Sequence, residues 1–304
     1  MRIVKYVAPL VNLVCEDHNI DLSGTCRIRR LSSAEIDLLR EFRKALNYAI
    51  DIAEFGLEVD TYTSVMEGQN EWSEEESRLL GDAKRAALRG ATILRLCKEE
   101  KIGFNVLMQV RTYTEGPRQM YTWGHFKFWG RLDKYAITAD ESDAFRAFYR
   151  EIDRCKFDAA QVAVDWFNKT YIEAYVPRDV LLDAMIALES LYMPDRDELR
   201  YRLATRMAAL LALPQDRKDV FANVRQAYDL RSNIVHGGTI DDETEKKINE
   251  VLPRIMGYLR ESLILFLRNP DVKGKLDDIV LGVAKSPNTG FSSRNAARAT
   301  AKGE

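Results

Sequence analysis

The run Arg231-Ser232-Asn233-Ile234-Val235-His236-Gly237-Gly238 sets an arginine five residues before a histidine, with a glycine pair directly after it. A guanidinium is always charged and can fork its donors onto phosphate oxygens; an imidazole exchanges its proton near neutrality. One group can hold developing charge while the other moves a proton, which is what chemistry at a phosphate needs. The chain has three histidines. His18 falls in a polar loop and His125 in an aromatic stretch, and neither has a comparable neighbour. An arginine near a helix end also commonly serves the helix dipole or an ion pair, and a lone histidine is commonly structural.

Helical periodicity positions these residues. Val220, Phe221, Val224, Ala227 and Tyr228 recur on one side of a helix, and Arg231 continues the same inward stripe. A guanidinium there must find a partner or line a cleft, because an unpaired buried charge is very costly. His236 falls about 140° further round an ideal helix and shares a face with Ser232. Gly237 and Gly238 predict a left-handed cap, which puts His236 in the last turn among carbonyls without intrahelical partners. That setting favours the imidazolium by a few tenths of a kcal/mol to about 2.

The rest of the chain divides into two regimes. Residues 1–30 are rich in β-branched positions and read as extended. Ser32-x-x-Glu35 and Ser73-x-x-Glu76 are capping boxes; the first predicts a helix over about 33–54, and the second opens a helix carrying Leu79, Leu80, Ala83, Ala87 and Leu94. FNVLMQVRTYT and QMYTWGHFKFWG flank the turn Glu115-Gly116-Pro117-Arg118, predicting a β-hairpin paired with the N-terminal strands. Its crowd of Tyr121, Trp123, Phe126, Phe128 and Trp129 could stack bases, although such a stripe is more often one buried sheet face. Thr138-x-x-Glu141 is a third box. From there the pattern is helical: a long first helix traced by Phe145, Phe148, Tyr149, Ile152, Ala159, Ala163 and Trp166, then a helix opened by Pro177, one ended by Pro214, one leading to Arg231, and one with Pro253 expected to kink it. The expected fold class is mainly α. A smaller mixed α+β domain with a β-hairpin (1–137) precedes a helical domain (138–270), and 271–304 form an extension and flexible tail.

The C-terminal region is similar to a known family. The run AYDLRSNIVHGG, preceded by ALESLYMPDRDELRYRLATRMAALLA, resembles the Apea-like branch of the HEPN superfamily over roughly residues 140–270. The shared features are the acid of ALESL (Glu189), the helix Tyr201 to Leu211, and the Tyr-x-x-Arg-Ser-x-Ile-Val-His-Gly ending. The resemblance implies a helical bundle and, in many members, a metal-independent endoribonuclease built on an Arg-x4–6-His pattern matched by Arg231 and His236. It implies homodimers whose two patterns face a shared cleft, and bacterial antiphage defence with a variable N-terminal domain as sensor. The implied reaction uses the RNA 2′-hydroxyl and leaves a 2′,3′-cyclic phosphate. Arg231 would stabilise the phosphorane, and His236 would protonate the leaving oxygen or help deprotonate the 2′-hydroxyl. Ser232 and Asn233 would be the substrate-side polar groups, Ser232 orienting either substrate or imidazole; the family often has asparagine directly after the arginine, where this chain has Ser232. Some HEPN domains are instead non-catalytic scaffolds that bind a protein or nucleic acid.

Composition narrows the classes. Across 304 residues, 46% are apolar and the net charge is −2, which suits a packed core and gives no global sign of a basic nucleic-acid binder. Cys15, Cys26, Cys97 and Cys155 form no CxxC pair, so neither a zinc site nor a disulfide framework is expected, and reduced thiols point to a cytoplasmic protein. No signal peptide or membrane span is expected. No cofactor or metal is called for: Asp241, Asp242 and Glu243 read as acidic charge at a helix N-terminus. The expected partners are an RNA substrate, a second copy of the chain, and a phage-derived or protein activator.

Overall fold

The computed structural model describes residues 2–46, 53–64, 72–110, 117–122, 134–172, 176–193, 198–213 and 215–287. It divides into two compact units, Met1–Arg154 and Cys155–Glu304.

The first unit is built on an antiparallel sheet of six strands. These are β1 (Arg2–Leu10), β3 (Asn19–Ser23), β4 (Cys26–Arg30), β5 (Phe55–Thr63), β6 (Val106–Val110) and β7 (Pro117–Thr122), in the order β3-β4-β5-β1-β6-β7. The expected hairpin is β6–β7, and β6 pairs with β1 from Lys5↔Val110 to Val7↔Met108. Of the expected turn, Pro117 and Arg118 are instead the first residues of β7, paired in the ladder with β6, while Glu115 and Gly116 lie outside the described residues, as do Trp123, His125, Phe126, Phe128 and Trp129. A parallel pair, β2 (Leu13–Cys15) with β8 (Tyr135–Ile137), stands beside the sheet's own ladder.

Helices α1 (Ser33–Leu46) and α2 (Trp72–Cys97) belong to this unit. The first capping box forms as expected: the Ser32 amide donates to Glu35 Oε2 at 2.7 Å, and the Glu35 amide donates to Ser32 Oγ at 3.3 Å. The helix is described as far as Leu46; residues 47–52 lie outside the described residues, and Ala53 and Glu54, where the expected helix would end, are already non-helical just before β5 begins at Phe55. The second box does not cap: α2 already begins at Trp72, which puts Ser73 inside the helix. Leu79, Ala83, Ala87, Ala91 and Leu94 are the buried face of α2, which packs against β5. A Cβ at Gly90 would sit 2.5 Å from the Leu57 side chain and 3.1 Å from Tyr149 Oη, so glycine is what lets α2 approach this closely.

The long helix expected from 138 is two helices. At Thr138 the third box opens a short 3-10 turn, with the Thr138 amide donating to Glu141 at 3.3 Å. It leads into α3 (Ser142–Asp153), and the chain breaks before α4 (Gln161–Ile172). Moreover, α3 belongs to the first unit, which moves the domain boundary from 138 to Arg154/Cys155. The physical reason is a set of anchors into the sheet region: Tyr149 Oη donates to Cys26 Sγ at 3.5 Å, Arg150 donates to the Leu22 carbonyl at 3.0 Å, and Asp153 accepts from Arg89 at 2.8 Å.

The second unit is all helical among the described residues: α4, α5 (Pro177–Tyr192), α6 (Leu199–Leu211), α7 (Arg217–Val235), α8 (Asp242–Arg268) and α9 (Leu276–Val280). Pro177 occupies the first turn of α5, where its missing N–H is harmless. Helix α5 packs against α4, α7 and α8, burying Leu181, Met185, Leu188 and Leu191. Val220, Val224, Ala227 and Leu230 are the buried stripe of α7, and Ile248, Val251, Ile255, Leu259 and Leu263 that of α8. Helix α8 continues through Pro253, which lies on its exposed side with Asn249, the residue four earlier whose carbonyl the proline leaves without an N–H. The bundle does not end at 270. Val272, Leu276 and Ile279 are buried, and the Arg206 guanidinium, itself buried, reaches Asp277 at 2.7 Å and the Tyr192 carbonyl at 2.6 Å. Residues 288–304, which include most of the expected tail, lie outside the described residues, as does Pro214. The fold is thus mainly helical with a separate antiparallel sheet region at the N-terminus.

Candidate active site

The site is the C-terminal end of α7. Val235 is the last helical residue and His236 the C-cap. Gly237 follows with φ +74°, the left-handed conformation that only glycine adopts without strain. Its amide donates to the Ile234 carbonyl at 3.2 Å, while the Gly238 amide donates to the Asn233 carbonyl at 2.9 Å. These two bonds are the paired closure of a Schellman cap, so the Gly-Gly step ends the helix as the sequence implied. The His236 amide donates to the Ser232 carbonyl at 3.1 Å, which keeps the backbone up to the histidine helical in pattern. The Asn233 carboxamide lies over Gly238, leaving no space there for a Cβ.

His236 is exposed, and among the described residues no side chain pairs with it. Arg231 sits one and a half turns earlier, about 7.5 Å back along the axis. Its side chain is 23% exposed and faces α5, where Glu189 is 18% exposed. The two charges approach at 3.5 Å through Nε and Oε1, and again at 3.5 Å through Nη2 and Oε2. The Arg231 guanidinium also lies 5.9 Å from the centroid of the Tyr228 ring. Burial pushes the Glu189 carboxyl up from its ordinary value, and Arg231 draws it down only in part. The pair is therefore loose: Nε and Oε1 are buried without a hydrogen bond of their own. Burial raises Tyr228 too, and the Glu189 charge adds to it.

The sequence placed Arg231 on the inward stripe and required a partner, and Glu189 is that partner. Glu189 carried no role in the residue reading. The signal was there: Met185 and Glu189 are one turn apart, so the acid stands next to an apolar position of α5. Phe221 and Tyr228, expected inside, are half-buried, and Leu230 takes the inward place instead. Ser232 is half-buried and Asn233 exposed, both on the last turns before His236. Arg231 and His236 share this helix end without touching: among the described residues no hydrogen bond joins them. His18 is exposed in a bend, away from such a setting.

The first turn of α8 closes the same loop. Asp241 is its N-cap, accepting from the Thr244 amide at 2.9 Å, and the Thr244 hydroxyl, with that amide second, holds its carboxyl below the ordinary range. Asp242 and Glu243 follow in the first turn, where the dipole favours them. Among the described residues no group of three histidine, cysteine or acidic side chains could hold a metal, and the four cysteines are free. No helix among them is long and apolar enough to cross a membrane. Comparison with family models, with curated proteins and with solved structures gave no match.

Proposed function

We propose that the C-terminal unit is a HEPN-type endoribonuclease that cleaves RNA without a metal ion, in a bacterial antiphage or toxin-like role. The observation that carries this is the end of α7. A glycine cap presents His236 to solvent, and a guanidinium lies one and a half turns behind it. In the reaction the 2′-oxygen attacks the adjacent phosphorus, and the bond from phosphorus to the 5′-oxygen breaks. The products are a 2′,3′-cyclic phosphate and a 5′-hydroxyl. His236 gives the leaving oxygen its proton or takes the proton of the 2′-hydroxyl; a homodimer joined through this unit would bring two histidines, one for each transfer. Arg231 stabilises the charge that builds on the phosphorane oxygens, with Ser232 and Asn233 beside it. The first unit would sense the activating signal, a phage product or a protein, and the chain would work in the cytoplasm.

The contact between Arg231 and Glu189 favours a second function, a non-catalytic helical scaffold in which the arginine is a structural counter-ion. One experiment separates them. Purified protein is incubated with mixed RNA in EDTA beside Arg231→Ala and His236→Ala. Chelator-resistant cleavage with cyclic-phosphate ends, lost in both variants, is the expected result. RNA left whole by the wild type in the presence of infected-cell extract supports the scaffold.

A further inference from the structure

Helix α7 carries a second pattern on the way to His236. Arg217, Phe221, Arg225, Tyr228, Ser232 and His236 recur at steps of four, four, three, four and four residues, one stripe along the helix. Tyr201 of α6 joins it: the residue is 60% exposed, and its ring meets Phe221 edge-on at 5.7 Å between centroids. The Arg225 guanidinium lies 5.5 Å from the Phe221 centroid. Arg217 and Lys218 are exposed at the start of the helix, and among the described residues no carboxylate pairs with Arg217, Lys218 or Arg225. Asp229 is occupied by Arg200, while Asp216 and Asp219 stand beside Arg217 and Lys218 at the start of α7 without an ion pair to either. An exposed ring fixed by a second ring and flanked by unpaired cations fits alternating bases and phosphates.

We infer that this stripe is a single-strand RNA track: Tyr201 stacks a base, and Arg225, Arg217 and Lys218 hold successive phosphates, delivering the strand towards His236. This rests on the nuclease proposed above. Charge argues against a second copy lying along the stripe, since a two-fold partner would set the same cations against their own images. An unpaired strand suits the track because its bases are free to stack on a ring; in a duplex they are not.

The test is binding of a short 2′-O-methyl oligoribonucleotide, which lacks the nucleophile, to the full chain by fluorescence anisotropy at several salt concentrations. The single strand should bind more tightly than the same sequence as a duplex. Tyr201→Ala should weaken it at least about fivefold with the salt dependence unchanged. Arg225→Gln should weaken it and reduce the slope of log K against log salt by about 0.7. Equal affinity for duplex and single strand overturns the track, and so does unchanged affinity in both stripe variants. A dimer that Tyr201→Ala dissociates without loss of affinity shows an interface between copies and overturns it too. Failure of the nuclease proposal looks different: the stripe variants weaken binding as expected while unmodified RNA is never cut.

Discussion

Replacing Arg231 should affect stability and activity by separable routes, and a double-mutant cycle with Glu189 exposes both. At 3.5 Å and an effective dielectric constant of about 20, the gross attraction of the pair is about 5 kcal/mol. Most of it is offset by desolvation, since the Glu189 carboxyl stays above its ordinary value despite the adjacent cation. Breaking a fully buried pair costs about 3–5 kcal/mol; with both side chains about a fifth exposed, Arg231→Ala should cost about 1–3 kcal/mol, chiefly by stranding the carboxylate. Glu189→Gln added to Arg231→Ala removes the stranded charge and should recover most of that loss. Cleavage should follow another course. Loss of a charge-stabilising donor lowers turnover about 100- to 1000-fold, and no change at Glu189 restores it. Urea unfolding followed by helical circular dichroism reads the first quantity, and chelator-resistant cleavage of a fluorogenic RNA reads the second. If activity returned in the double variant together with stability, Arg231 would be a counter-ion alone and the proposed phosphate role would be refuted.

The cap gives a backbone prediction. Gly237→Ala should cost about 1 kcal/mol in urea unfolding, because a Cβ is disfavoured at φ +74°. Gly238→Ala should expel the Asn233 side chain, and Asn233→Ala should make the same alanine tolerable; thermal midpoints of the two singles and the double check this. In the first unit, Glu58 is 4% exposed and takes Lys5 at 3.0 Å, Arg29 at 2.5 Å and Arg27, while Arg29 also holds Glu35 at 2.6 Å. Burial pushes both carboxyls up, but the hydrogen bonds, led by those from Arg29, outweigh it and hold them below the ordinary value of 4.5. A depressed folded pKa contributes stability that is fully present above that value and lost as the pH falls through it towards the folded one. The urea midpoint of the first unit should therefore fall on acidification below 4.5, and less so in Glu58→Gln. Arg206→Ala should cost about 2 kcal/mol by orphaning the Tyr192 carbonyl, with faster hydrogen exchange in α9 as the local sign.

What the sequence made legible follows from how strictly local chemistry binds each element. Ser32 and Glu35 answer each other within one turn, and so do the glycines after His236; both features can be read without knowing what packs on them. Helices α5 to α8 of the second unit were legible for the same reason, since one apolar face at a period of 3.6 leaves little choice; α9, placed in the expected tail, was not. Strand β5 was not. Phe55, Leu57, Val59 and Thr61 alternate with Gly56, Glu58, Asp60 and Tyr62, but Glu58 on the alternate face is buried, so the polar side of the pattern does not mark solvent. Its carboxylate is inside because β1 and β4 bring Lys5, Arg27 and Arg29 beside it, a fact of register rather than of neighbours in sequence. The break after α3 was hidden in another way. No glycine or proline interrupts Asp153 to Ala160, and the apolar period runs through it almost in phase; what ends α3 is its attachment to the sheet region.

At the proposed site the same division decides what can be known from spacing. Helical geometry fixes that Arg231 and His236 share the end of α7, and the glycines fix that the helix stops there. Spacing does not say whether the guanidinium is offered or already engaged, because that depends on Glu189, 42 residues away on α5. The weakness of that engagement is itself informative. A structural pair tends towards short, bidentate geometry with its remaining donors satisfied. Here both contacts are at 3.5 Å, and the acid resists ionisation. A phosphate arriving beside Nη1 would add the hydrogen bonds that Glu189 does not give. Such a loosely held cation can exchange one anion for another at small cost, which a counter-ion built only for the fold has no reason to do.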